Sequence, residues 1–291
     1  SAVVGRNVPG LEESSIEAAA MDSFLERLRT ATVQEAARIL DIPEENEPLL
    51  FISGVLLNRI TKVMDARLIW APGVSLCDGI AYEYGEKNKI LKESHDFEQD
   101  IVACAQNISK RYMGSKRRGE TLEQIALTIF DSMKKIHGLG RRERLLLRIA
   151  TLLHDCGKYI SLVNLGECSY NIIMSTEIIG LSHMEREIVA NVVKYNHLEF
   201  DYYDLMGRDS AFNSRDYLTI AKLTAILRVA NGLDRSHKQK FKNVKTVLKD
   251  EKLIITVDAS QDITLEKGLL ARRAHFFEEV FSVQPVIRQR G

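Results

Sequence analysis

The chain has 291 residues, 45% of them hydrophobic and 27% charged, which is apolar material enough for more than one packed core in a globular protein. Lysine plus arginine (40) equals aspartate plus glutamate (40), so no overall field draws the chain to nucleic acid, and any anion-binding surface must be a local cluster. The 4 cysteines, Cys77, Cys104, Cys156 and Cys168, lack CxxC spacing, and no apolar run approaches the roughly 18 residues of a membrane helix, so we expect a cytoplasmic protein with reduced thiols and no membrane partner.

The chain opens on SAVVGRNVPG, without methionine or a signal-peptide pattern, and we expect the natural protein to extend upstream. Ile16, Ala20, Phe24 and Leu28 then recur at helical spacing, as do Val33, Ala37 and Leu40. Leu50, Ile52, Val55, Leu56, Ile60 and Val63 predict a further helix, Leu68 to Trp70 a short strand, and Ser75 the cap of a helix running to Tyr84. The charged stretch YGEKNKILKESHD breaks this periodicity, which puts a domain boundary near residue 90.

Beyond it, Phe97, Ile101, Cys104, Ile108 and Tyr112 form one helical stripe, and Leu122, Ile125, Ile129, Met133 and Ile136 another that ends at Gly138. RRERLLLRIATLLHD, EREIVANVVKYNH and LTIAKLTAILRVANGLDRSH continue the pattern, so residues 91–240 are expected to form an all-helical domain. Only the tail changes period. VKTVLKD and KLIITVDAS flank a polar turn as a hairpin, and TLEKGLLARRAHFFEEVF returns to a helix, predicting a small α+β module over 241–291.

The chemistry concentrates in ATLLHDCGKYIS. His154 and Asp155 offer an imidazole nitrogen and a carboxylate oxygen to one divalent cation, and Asp234, on the inward face of its helix, is the best further ligand. His197 tends toward the same buried side, and Lys158 could hold a phosphate beside the pair. Spacing alone leaves two readings open: a metal centre, or a hydrogen-bonded core pair. The second feature is SKRYMGSKRRGE, where Lys110, Arg111, Lys116, Arg117 and Arg118 crowd a helix end and a loop. Read from charge alone, this is either a polyanion-binding patch or a solvated loop.

In order and spacing, GLGRRERLLLRIATLLHDCGKYIS, EIIGLSHMEREIVANVVKYN and LRVANGLDRSH resemble the HD-type helical domain of the Ppx/GppA phosphatases, the exopolyphosphatases and guanosine pentaphosphate phosphohydrolases. The resemblance covers residues 95–236. Upstream, LLFISGVLLNRITKVMDARLIWAPGVSLCDGIAYEYG resembles the closing segment of that family's actin-like phosphatase domain, which makes residues 1–90 its expected C-terminal remnant; the 241–291 module matches less specifically. The fold class this implies is mainly α: an HD-type helical domain preceded by the end of an actin-like α/β domain and followed by a small α+β module.

The resemblance implies hydrolysis of terminal phosphates of polyphosphate or guanosine pentaphosphate, with magnesium. In that family the phosphate loops and the water-activating carboxylate lie earlier in the actin-like domain, and no glycine-rich phosphate cradle occurs upstream of residue 54. We therefore expect no catalytic residues in this chain and no such activity from it alone. The ligand set departs from a complete HD hydrolase: Arg118 stands where its first histidine should fall, Gly166 and Cys168 where many members carry a histidine pair, and Asn231 where an aspartate is usual. A metal at His154, Asp155 and Asp234 is thus short of donors. The leading expectation is a domain that binds and guides the polyanion through Lys110, Arg111, Lys116, Arg117, Arg118 and Lys158. The rivals are a self-contained HD nucleotide phosphohydrolase and a non-catalytic module that pairs as a homodimer.

Overall fold

The computed structural model describes residues 6–7, 14–71, 73–92, 95–202, 212–234, 241, 244–258 and 262–290. The chain is mainly α and falls into two compact units, Ser1–Ser94 and His95–Gly291. Among the described residues no helix is long and apolar enough to cross a membrane.

In the first unit, β1 (Arg6–Asn7), β2 (Ser14–Glu17) and β3 (Leu68–Trp70) form an antiparallel sheet in which Ile16 pairs with Ile69. Helices α1 (Ala18–Thr30), α2 (Val33–Leu40), α3 (Glu47–Val63) and α4 (Leu76–Lys87) complete the unit. Ile16, expected on a helix, lies in β2, because extended pairing with β3 captures it before the helix begins. The buried stripe of α1 is correspondingly Met21, Leu25 and Leu28, one position out of phase with the expected Ala20, Phe24 and Leu28 at its start.

The core of this unit is small: Ile16, Met21 and Leu25, with Phe51, Ile69 and Ala71 against it. Gly54 lets α3 approach α1, since a Cβ there would lie 2.9 Å from a Leu25 methyl. Asn58 and Lys62 of α3 both reach Asp22 of α1, at 2.7 and 2.6 Å. Contact through this one face leaves Leu50, Ile52, Val55, Leu56, Ile60 and Val63 exposed, contrary to the burial their spacing suggests.

The second unit starts with α5 (Phe97–Arg111), α6 (Lys116–Ser132), the single turn α7 (Lys134–His137) and α8 (Arg141–Leu153). Asp96 caps α5, and Gly138, at φ 64°, ends α7 in the left-handed conformation. A 3₁₀ turn (Cys156–Tyr159) follows, then α9 (Leu165–Met174), α10 (His183–Tyr195) and α11 (Ser214–Leu233). The apolar stripes meet in one core in which Val102, Ile129, Leu147, Val192 and Leu227 are fully buried, each worth about 1.5–3 kcal/mol.

The tail contains β4 (Val244–Lys249), β5 (Lys252–Asp258), α12 (Thr264–Phe281) and β6 (Gln284–Arg290). The first two strands pair as the expected hairpin. β6 was not expected: it adds to β5 in parallel, and α12 supplies the crossover that a parallel pair requires. Segment 241–291 does not stand apart, because Leu253, Ile255, Val257 and Phe277 belong to the helical core, and the Thr246 hydroxyl donates to the Thr128 carbonyl at 3.0 Å.

Helix α10 carries the residues that back the site, and its start is set by a reciprocal cap. The Ser182 hydroxyl accepts from the Glu185 backbone N–H at 3.2 Å, while the Glu185 carboxylate accepts from the Ser182 N–H at 2.8 Å. Glu185 also takes Arg142 of α8 at 2.6 Å, which holds its carboxyl below the usual range. Ser182→Ala is expected to lower stability by about 1 kcal/mol in urea unfolding, with the slope unchanged.

Candidate functional site

The site is made where α8 stops. His154 is still helical, at φ −55°, but Asp155 turns out at φ −130°, and the 3₁₀ turn carries the chain toward α9. Gly157 is required there: a Cβ would lie 2.4 Å from both the Leu165 carbonyl oxygen and the Ser169 nitrogen. The close approach lets the Gly157 N–H donate to the Ser169 hydroxyl at 2.9 Å, which fixes the turn and aims His154 and Asp155 inward.

His154 is fully buried. Its Nδ1 lies 2.8 Å from the Thr151 carbonyl, which can only accept, so Nδ1 carries the proton. Nε2 is then left as a lone pair, buried without a hydrogen-bond partner and 3.7 Å from the Asp155 carboxylate. Burial pushes the imidazole pKa down to about 4, against the opposing pull of Asp155, so the ring is neutral at pH 7. His197, expected on the buried side, donates from Nε2 to the His154 carbonyl at 2.8 Å, and burial lowers its pKa too.

Arg118 closes the arrangement. It lies in the first turn of α6, its side chain only 10% exposed, and its guanidinium reaches three groups. Nη2 donates to Asn231 Oδ1 at 2.9 Å, Nη1 lies 3.7 Å from Asp155, and Nε lies 3.8 Å from Asp234, which is 1% exposed. Asn231 continues to Asn196 at 3.3 Å, tying α6, α11 and the end of α10 together. A permanent cation therefore stands between the two carboxylates expected to bind metal. Among the described residues no group of three or more His, Cys, Asp or Glu side chains could hold a metal ion. The guanidinium, 3.7 and 3.8 Å from Asp155 and Asp234, sets a positive charge against two of the three expected donors, His154, Asp155 and Asp234.

The other expected positions are accounted for by packing. A Cβ at Gly166 would meet the Lys194 carbonyl at 3.0 Å and Leu198 at 2.9 Å, so no histidine fits there. Cys168 is half-buried on α9. The Cys156 thiol next to the pair is pushed up to about 12 by burial, which removes it as a nucleophile.

The basic cluster divides in two. Arg118, expected among the polyanion-binding residues, is a buried ion-pair partner, because distant carboxylates on two other elements reach it. Lys110 and Arg111 occupy the last turn of α5, while Lys116 and Arg117 begin α6, so these are helix termini and not loop residues. All four are exposed, as is Lys158. Lys158, Arg118 and Asp155 line an open cavity of about 450 Å³ together with Tyr112, Ser115 and Tyr159. The Tyr112 and Tyr159 rings meet edge to face at 5.7 Å. Sequence reasoning missed Tyr159, Asn196 and the role of Asn231 as a bridge; only the adjacency of Tyr159 to Lys158 pointed to any of them.

The family model described as Ppx/GppA phosphatase, domain III, matches residues 102–274. No curated protein matches the chain.

Proposed function

The chain belongs to the Ppx/GppA phosphatase family, and from that membership we propose that its helical unit binds polyphosphate, or the phosphate chain of guanosine pentaphosphate, and guides it to a hydrolytic centre on a separate phosphatase domain. The observation that carries this is the charge at the start of α6. A helix N-terminus carries a partial positive charge and is stabilised by acidic residues, yet α6 has no acid in its first turn and begins Lys116, Arg117, Arg118. Lys116 and Arg117, exposed at that end, oppose folding stability and favour an anion, as a binding site would require, while Arg118 faces Asp155 and Asp234.

Lys110, Arg111, Lys116, Arg117 and Lys158 supply the surface. Among the described residues the ion pair these side chains form is Lys116 with Glu120 at 3.9 Å, an exposed pair of little strength. The positive charge is therefore available to phosphates, and counterion release favours a chain of them. Arg118 acts from behind: held by Asp155 and Asp234, it fixes the first turn of α6 and lines the cavity floor.

In this reading His154, Asp155 and Asp234 form a structural ion-pair centre and take no part in hydrolysis, and magnesium would work with the separate phosphatase domain. The metal-dependent HD hydrolase is disfavoured by the guanidinium between its two carboxylates. Titration of labelled polyphosphate at several salt concentrations tests the proposal. Lys116→Glu combined with Arg117→Glu should weaken binding and flatten the salt slope by roughly one unit per lost phosphate contact, with helical content unchanged. Equal affinity and slope in both proteins would sink it.

A further inference from the structure

The second unit contains a larger cavity, about 640 Å³, between the end of α10, α11 and α12, and the proposed polyanion surface makes no use of it. Arg228 of α11 and Arg273 of α12 line it together, with His275, Tyr202, Glu199 and Glu279. Arg228 donates from Nε to the Tyr195 carbonyl at 2.7 Å and from Nη2 to the Leu198 carbonyl at 2.5 Å, and its guanidinium lies 4.5 Å from the Phe276 ring centre. Carbonyl dipoles and an aromatic face orient a guanidinium without cancelling its charge.

Burial, with the nearby Arg273 guanidinium adding to it, lowers the Arg228 pKa to about 10. Two arginines lining one concave site suit an oxyanion, since planar forks match phosphate geometry. The two carboxylates disfavour a bare polyanion but accept hydrogen bonds from hydroxyl groups. Glu279 already takes the Tyr202 hydroxyl at 3.0 Å, which holds that exposed ring beside the cavity. The volume is in the small-molecule range of roughly 300–1,000 Å³, well above the needs of a single phosphate.

We propose that this cavity binds a nucleoside monophosphate, with its phosphate on Arg228 and Arg273, its ribose hydroxyls toward Glu199 and Glu279, and its base against Tyr202. The site is independent of the polyanion surface, so either can fail without the other.

Calorimetric titration of the full 291-residue chain with adenosine 5′-monophosphate should give a Kd below about 1 mM. Arg273→Gln and Tyr202→Ala should each weaken it about tenfold or more, and Lys116→Glu with Arg117→Glu should leave it unchanged. Adenosine and orthophosphate, run separately, should each bind at least about tenfold more weakly. Should Arg273→Gln lose its helical circular dichroism, Arg273→Lys replaces it with the same expectation, because a lysine keeps the charge but not the fork. No binding of the monophosphate, binding indifferent to both positions, or equal affinity for adenosine or orthophosphate would each overturn the assignment.

Discussion

Arg118→Ala should destabilise the second unit by roughly 3–5 kcal/mol in urea unfolding, because it removes a buried cation that faces two carboxylates that are 1% and 11% exposed. The ion-pair distances of 3.7 and 3.8 Å are longer than direct hydrogen bonds, but the groups are shielded from water, so the attraction is screened far less than at the surface. The Asn231 amide would also lose the donor at 2.9 Å. Arg118→Lys should recover only part of the loss, since one ammonium cannot span three acceptors. Adding Asp155→Asn and Asp234→Asn to Arg118→Ala should restore a good share of stability by removing the buried negative charges that faced it. A loss below about 0.5 kcal/mol for Arg118→Ala would mean that the guanidinium does not hold this centre together.

Stability should also fall as the solution is acidified through the histidine range. His154 has a folded pKa of about 4, below the 6.5 of the unfolded chain, so below pH 6.5 the unfolded state binds the extra proton. The stability contributed by the neutral imidazole is complete above pH 6.5, declines as pH drops, and is exhausted near pH 4. Between pH 7.5 and 5 the expected loss from this group is about 2 kcal/mol, largely above the range where carboxylates titrate. His137 and His197, both lowered mainly by burial, act in the same direction. Unfolding free energies measured across this window should show the slope, and His154→Gln should remove the largest part of it. An identical pH dependence in that variant would show that the proton is taken up elsewhere.

Both results turn on features that were only partly legible in the chain. The helices were readable because Leu145, Ile149 and Leu153, or Ile220, Leu223 and Leu227, recur at a period that only a helix turns to one face. His154, Asp155 and Asp234 stood out by residue type, and the family resemblance marked Arg118 as the occupant of a lost ligand position. What could not be read was that Arg118 is buried while its neighbours Lys116 and Arg117 are exposed. All three sit in one charge run, and local pattern treats them alike.

The chain by itself determined the helical periods, the caps at Ser75, Asp96 and Gly138, the hairpin between β4 and β5, and the run of residues that makes the family recognisable. These depend on interactions within a few residues, which spacing encodes directly. The tertiary structure decided the rest: Ile16 joined a strand because β3 pairs with it from more than fifty positions away, the apolar residues of α3 stayed exposed because Gly54 turns a different face to α1, and β6 entered the sheet only through the crossover of α12. It also decided that Arg118 serves as an internal cation, since its Asn231 partner lies 113 residues further along the chain. Whether a charge is solvated or buried depends on which distant groups meet it, and that is settled by packing.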